Sequence, residues 1–242
     1  MTPSSILPDQ DAGRTLLEVA DCVGPTFQGQ GPSAGQLAMA IRLAGSTLTG
    51  PADEVSHTGD RSPADGTLRS RWFRVEQLAS WALGSAARLV VVSGDEPLRQ
   101  QSQLVLLVRC LARAGRWVEI ETSGSWVPDG ALAAMTDMFV VSPRAPGSGA
   151  GPSSARPINP AALATFADSD RAVFTFAVSS PSELAEIAEL EQRFALYPIW
   201  VVPAGTTAAA VLAVLSWLAH DALARGWHLS CSLPALLDQP GQ

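Results

Sequence analysis

The sequence predicts an α/β fold: a parallel sheet with helices on its outside. Three observations carry that expectation. Strand-like and helix-like segments alternate through most of the 242 residues, which is how a parallel sheet is built. The strand-like runs are short and β-branched, as in strands buried on both faces. The helix-like runs carry apolar residues on one side, or end at glycine.

In order, Leu37–Ala44 is an apolar run that predicts the first strand. Arg74–Ala86 places Val75, Leu78, Ala79 and Ala82 on one helical face. Leu89–Val92 is a buried strand. Pro97–Ala114 predicts a helix, with Pro97 suited to the first turn and Gly115 to the stop. Trp117–Ile120 and Met138–Val141 are strands. A helix near Pro160–Phe166 leads to a strand at Ala172–Val178. Ser182–Phe194 is a helix with acidic Glu183, Glu186 and Glu189. Pro198–Val202 is a strand, Thr206–Arg225 a long helix, and His228–Ser230 a short closing strand. About six strand–helix units result. They suit an open doubly wound sheet or a partial barrel, and periodicity does not choose between these. Both put functional groups at the C-terminal ends of the strands. Length favours one domain over residues 1–242, with long polar or Gly/Pro-rich loops at about 48–70 and 143–160.

Composition narrows the function classes. The apolar fraction is 47% and the charged fraction 16%, which supports a packed core and excludes a disordered chain. A net charge of −7 argues against nucleic acid as the main partner. All 16 basic residues are arginine, so neither a lysine Schiff base nor a lysine phosphate loop is available. Three cysteines, Cys22, Cys110 and Cys231, lie far apart in sequence and form no disulfide framework. A reduced, cytoplasmic protein follows as the expectation. Met1–Ala12 does not have the pattern of a signal peptide. Ala208–Ala219 is too short to span a bilayer and reads as a buried helix, so no membrane partner is expected.

The residues at the strand ends carry more information. Phe27-Gln28-Gly29-Gln30-Gly31-Pro32 precedes the first predicted strand, and Arg42-Leu43-Ala44-Gly45-Ser46 ends it. Later strands are followed by Gly94-Asp95-Glu96-Pro97, Glu121-Thr122-Ser123-Gly124-Ser125, Ser142-Pro143-Arg144 and Pro203-Ala204-Gly205. Singly, each is common turn chemistry. Together, in this order, they resemble the 7-carboxy-7-deazaguanine synthases of the radical S-adenosylmethionine (SAM) superfamily. The matching family motifs are "QGEG", "RLAG", "GGEP", "ETNGT", "SPK" and "PEG", and the likeness runs from about Phe27 to Leu237.

The resemblance implies a truncated βα barrel with SAM across the strand C-termini. It assigns SAM contacts to Gly94, Asp95, Glu96, Thr122, Ser123, Ser142 and Arg144. It assigns substrate contacts to Gln28, Gln30 and Arg42, with Trp126 able to stack on a ring or to lie in the core. Glu96 suits the methionine ammonium, and Arg144 its carboxylate. Asp95 either faces the sulfonium or caps the helix at Pro97. Arg42 suits a substrate carboxylate, or else a structural ion pair.

The departures from the family are sharper. Its three cluster cysteines fall on Ser46, Gly50 and Asp53, and its magnesium-binding threonine falls on Val55. A [4Fe–4S] cluster needs thiolates, so the expectation is no cluster and no Mg²⁺. The glutamate of "QGEG" is Gln30, so the substrate is expected to differ. Two readings follow. One is an enzyme of specialised small-molecule metabolism using polar SAM chemistry: methyl or aminocarboxypropyl transfer, displacement or elimination. Its candidate bases are Asp95, Glu121 and His57. The other is a non-catalytic relative that binds or scaffolds, and a homodimer suits either. The loop residues Asp53, Glu54, His57 and Asp60 match no metal spacing and read as solvated.

Overall fold

The computed structural model of the chain describes residues 15–44, 70–143 and 158–237. Both predicted long loops fall largely outside them. One sheet of nine strands runs through the described residues, in the order β3-β1-β2-β4-β5-β6-β7-β8-β9. Its parallel part is β2 (Leu37–Leu43), β4 (Leu89–Gly94), β5 (Trp117–Thr122), β6 (Met138–Val141), β7 (Ala172–Val178), β8 (Ile199–Pro203) and β9 (His228–Leu229). These match the predicted strands within two residues at each end.

Two strands were not expected. β1 (Leu16–Phe27) pairs antiparallel with β2, and β3 (Arg71–Arg74) pairs antiparallel with β1. Cys22 therefore lies within a strand, not ahead of the first one. The sheet stays open, with β3 at one edge and β9 at the other.

Helices follow the strands: α1 (Val75–Leu83), α2 (Gln101–Arg113), α3 (Gly130–Met135), α4 (Pro160–Ala167), α5 (Pro181–Phe194), α6 (Ala208–Arg225) and α7 (Leu233–Leu236). The predicted helix from Pro97 begins with a separate 3₁₀ turn, Pro97–Gln100. Local chemistry sets the helix starts. Asp129 Oδ1 accepts from Ala131 N at 2.8 Å, and Asn159 Oδ1 from Ala161 N at 3.1 Å. Ser180 and Glu183 form a capping box for α5.

Alternation along each strand divides the sheet into two faces. Ile41, Val92, Ile120, Phe139, Val141, Phe174, Phe176, Val201 and their neighbours pack against Leu104, Leu107, Leu163, Leu184 and Ile187 from the helices. Phe139 and Phe166 meet at 5.2 Å between ring centroids. Each fully buried side chain of this kind contributes ~1.5–3 kcal/mol. The other, inner face has a small apolar cluster of Ala38, Leu89 and Val91. By the same alternation, Arg42, Ser93, Glu119, Glu121, Ser142 and Thr175 leave their strands on that inner side.

The apolar stretch read as a buried helix is not buried. In α6 only Val211, Leu218 and Ala222 are buried, while Leu212 is 55% exposed and Leu223 81%. α6 is the one described helix long and apolar enough to cross a membrane, with 17% of it buried. Leucine and valine contribute more to its hydropathy than alanine does, and of those six side chains only Val211 and Leu218 are buried.

Candidate functional site

The seven parallel strands bring their C-terminal ends to one rim, and most of the described sequence-predicted residues sit there. At the end of β4 the chain turns sharply at Gly94 (φ +127°), where a β-carbon would stand 2.0 Å from the Leu43 carbonyl oxygen. Only glycine lets β4 run this close to β2. The turn delivers Glu96, 3% exposed, to the start of the 3₁₀ turn.

Glu96 ties two strand ends together. Its Oε1 accepts from Thr122 Oγ1 at 2.7 Å and from Leu98 N at 3.2 Å. Its Oε2 accepts from Ser123 N at 3.1 Å and from the Ser123 hydroxyl. Ser125 Oγ adds a longer contact to Oε2 at 3.5 Å, so the roughly four lone-pair sites of the carboxylate are all engaged within the protein. The Pro97 turn is thus capped by Glu96, not by Asp95, which is exposed at the rim. Ser123 Oγ also meets Ser125 Oγ, and Gly124 (φ +72°) closes the turn against Val141 and Leu163.

The next strands continue the hydroxyl-lined rim. Ser142 N donates to Thr122 O at 2.8 Å, and Ser142 Oγ lies 2.6 Å from Thr175 Oγ1. Trp126 is 45% exposed, which removes the core alternative and leaves its ring available for stacking. Asn159 Nδ2 donates to Ser125 O at 3.0 Å, so α4 steadies the loop that carries Trp126.

On the inner face the Gln28–Gly31 segment lies over β5. Gln28 Nε2 donates to Glu121 Oε1 at 2.8 Å and to Glu119 Oε1 at 3.2 Å, while Gln28 Oε1 accepts from Gly29 N at 3.3 Å. Ser33 Oγ donates to Glu119 Oε2 at 2.6 Å. The segment is also held from the C-terminal part of the chain: Ser230 Oγ accepts from Gly31 N at 2.9 Å, and Leu233 N donates to Gly29 O at 2.8 Å. Gln30 and Arg42 are half-buried.

The sequence reading did not single out Glu119. The available signal was a carboxylate inside an otherwise apolar strand, Trp117-Val118-Glu119-Ile120. Burial raises the Glu119 carboxyl to about 8, with the nearby Glu121 adding to it and the Ser33 and Gln28 hydrogen bonds opposing it. Glu121 is raised as well, by burial first, with the Gln28 hydrogen bond and the Arg42 charge pulling it back.

Arg144 and His57 lie outside the described residues, as do Ser46, Gly50, Asp53, Val55 and the rest of that loop. The chain's cysteines are on other elements. Cys22 is on β1, packed against the helix-facing core and raised to about 11 by burial and Asp21. Cys110 is exposed on α2, and Cys231 follows β9. Among the described residues no group of three His, Cys, Asp or Glu is placed to hold a metal ion.

No family model matches the chain. Individual relatives do. A 7-carboxy-7-deazaguanine synthase of Pyrobaculum aerophilum is 30% identical over 163 residues, 67% of each chain. Another, of Hyperthermus butylicus, is 29% identical over 181 residues, 72% of this chain and 71% of that one. A crystal structure of QueE from Escherichia coli superposes with a TM-score of 0.65 at 22% identity, covering 90% of this chain and 94% of that one. The open, mostly parallel sheet, the strand-end motifs and these likenesses agree: the chain belongs to the 7-carboxy-7-deazaguanine synthase family and has the radical SAM partial barrel fold.

Proposed function

We propose that this chain binds SAM at the strand C-termini and uses it without a [4Fe–4S] cluster, as a polar SAM-dependent transferase or lyase. The observation that carries the proposal is the linked pair of turns, Gly94–Pro97 and Thr122–Ser125, joined through Glu96 at the ends of adjacent parallel strands. They set a close-approach glycine, a buried carboxylate and a row of hydroxyls around one point on the rim. Ser123 would turn its hydroxyl from Glu96 to a ligand oxygen and free a carboxylate oxygen for an ammonium. Gly94, Asp95 and Thr122 would line the same contact. Ser142 would offer a hydroxyl to the ribose or carboxylate, and Arg144 a cation.

The residues do not fit the family's cluster. Ser46, Gly50 and Asp53 offer no thiolate, and Cys22, Cys110 and Cys231 stand on a strand, a helix and a late loop. Bound SAM would supply an electrophilic sulfonium. A nucleophile held beside it would take the transferred carbon while the broken C–S electron pair returns to sulfur, leaving a neutral thioether. The rim residues would bind and orient; Glu121 and Asp95 are the described candidates for taking a proton.

The second substrate is a small molecule held on the inner face. Arg42 would meet a carboxylate there, and Trp126 an aromatic ring. A binding role without catalysis is the second reading. It is favoured by the internal use of the Glu96 oxygens and of both Gln28 N–H bonds.

The test is calorimetry with SAM, S-adenosylhomocysteine and methylthioadenosine on protein made without added iron, followed by product analysis in air with no reductant. S-adenosylhomocysteine as product indicates methyl transfer; methylthioadenosine indicates aminocarboxypropyl transfer or cyclisation. Reductant-dependent 5′-deoxyadenosine, or stoichiometric iron and sulfide, overturns the polar reading. Binding without turnover moves the conclusion to the non-catalytic role, and absence of binding overturns both.

A further inference from the structure

The proposed chemistry takes Glu121 of β5 as a candidate base and leaves its pairing with Glu119 unexplained. Glu119 and Glu121 alternate with Val118 and Ile120, which face the helices, so both leave the strand on the inner side. Glu119 has no exposed surface at all. In register it is flanked by Val91 of β4 and Met138 of β6, and Glu121 by Val140 of β6. Among the described residues the cation acting on the pair is Arg42 of β2, and it acts on Glu121. The charge acting on Glu119 is Glu121 itself. From the Gln28–Gln36 segment come two neutral groups, the Gln28 amide and the Ser33 hydroxyl.

One nitrogen therefore serves two carboxyl groups in an apolar setting. Two buried carboxylates this close do not both ionise readily. The amide has two N–H bonds, one for each carboxyl, and its oxygen faces the backbone of its own loop. The same loop is held on its far side by Ser230 and Leu233.

We propose that Glu119 is a positioning residue: it keeps a proton beside Glu121, and in that state the shared Gln28 amide seats the Gln28–Gly31 segment on the inner face. Protonation reverses the Ser33 bond: in the ionised state Ser33 Oγ donates to Oε2, and in the protonated state Oε2–H donates to Ser33 Oγ, while Oε1 accepts from Gln28 in both. The proton is retained up to about pH 8, chiefly through burial. Above that the amide is left between two anions, and the segment loosens. Only the chain's own groups take part, so the proposal stands whether or not the rim takes SAM.

The experiment uses ligand-free protein with ¹³C-labelled glutamate. Carboxyl signals are titrated by NMR from pH 5 to 10 in the wild type, Glu119→Gln and Glu121→Gln, and exchange of the Gly29 and Gly31 amides is followed alongside. The wild type should show one carboxyl with a midpoint near 8. That signal should vanish in Glu119→Gln, whose amide copies the protonated carboxyl. In Glu121→Gln the midpoint should fall by roughly a unit or more as the like charge goes. From pH 7 to 9, Gly31 exchange should rise roughly tenfold beyond the intrinsic hydroxide dependence in the wild type, and less than about twofold in Glu119→Gln. Both carboxyls titrating below pH 6, a Glu119 midpoint unmoved in Glu121→Gln, or equal exchange profiles in wild type and Glu119→Gln would each overturn the proposal. If Glu119→Gln does not fold, the wild-type and Glu121→Gln titrations still decide it.

Discussion

Gly94 shows how one residue fixes the geometry of the rim. Its φ of +127° and the 2.0 Å approach of a hypothetical β-carbon to Leu43 O leave no room for a side chain, and the obstacle is backbone. Gly94→Ala should therefore destabilise the fold by ~2–4 kcal/mol, combining strain with displacement of the β2 end. Urea unfolding checks this, and a loss under about 0.5 kcal/mol would contradict it. Glu96 acts differently, through the internal donors gathered on its carboxylate. Glu96→Gln keeps the shape but turns two acceptor sites into donors that face Thr122, Ser123 or Leu98 N–H and O–H groups. A cost of ~1–3 kcal/mol in the same assay is expected. The ¹⁵N shifts of Leu98 and Ser123 should move with it, and unmoved shifts would show that Glu96 does not bond there.

Among the elements, α6 separates composition from burial most clearly. Leu218 is fully buried and Leu223 is 81% exposed, five positions along one helix. Leu218→Ala should cost ~2–4 kcal/mol by transfer and cavity, and Leu223→Ala no more than about 0.5 kcal/mol. Equal losses by thermal unfolding would mean that the face carrying Leu223 is covered in solution. The same helix marks a limit of sequence reading: its apolar run announced a helix correctly but said nothing of how much it buries. The parallel strands were legible because burial on both faces leaves unbroken β-branched runs such as Leu89–Val92. β1 was not, because it is a bulged, half-exposed strand whose alternation shows only at Leu17 and Val19. The candidate site was legible as far as its backbone turns. A parallel sheet sends each of those motifs to one rim, and each keeps its signature in a few adjacent residues. Its internal wiring was not legible. Glu96 meets Thr122 across 26 positions and Gln28 meets Glu121 across 93, partnerships that only the strand register sets.

At the scale of the whole molecule, the buried β5 pair should appear in the pH dependence of folding. In the unfolded chain Glu119 ionises near its ordinary value of 4.5; in the fold it is raised to about 8. Between those values the native state binds more protons than the unfolded one, so linkage makes stability fall as pH rises through that window. The stability conferred by the folded state's hold on the proton is fully present below about 4.5 and lost by about 8. Beyond that, Glu119 adds no further slope. Glu121, raised in the same direction, should add to the fall. A net charge of −7 imposes a background of self-repulsion that changes with pH as well, so the wild-type curve alone does not identify the source. The difference between wild type and Glu119→Gln does, because the two share every other group. Urea unfolding from pH 4.5 to 9 should show the wild type losing stability relative to Glu119→Gln from about pH 5, with the gap level above about pH 8. Curves that stay parallel over that range would mean that Glu119 is already ionised at neutral pH, and that the inner face tolerates two adjacent anions on one amide.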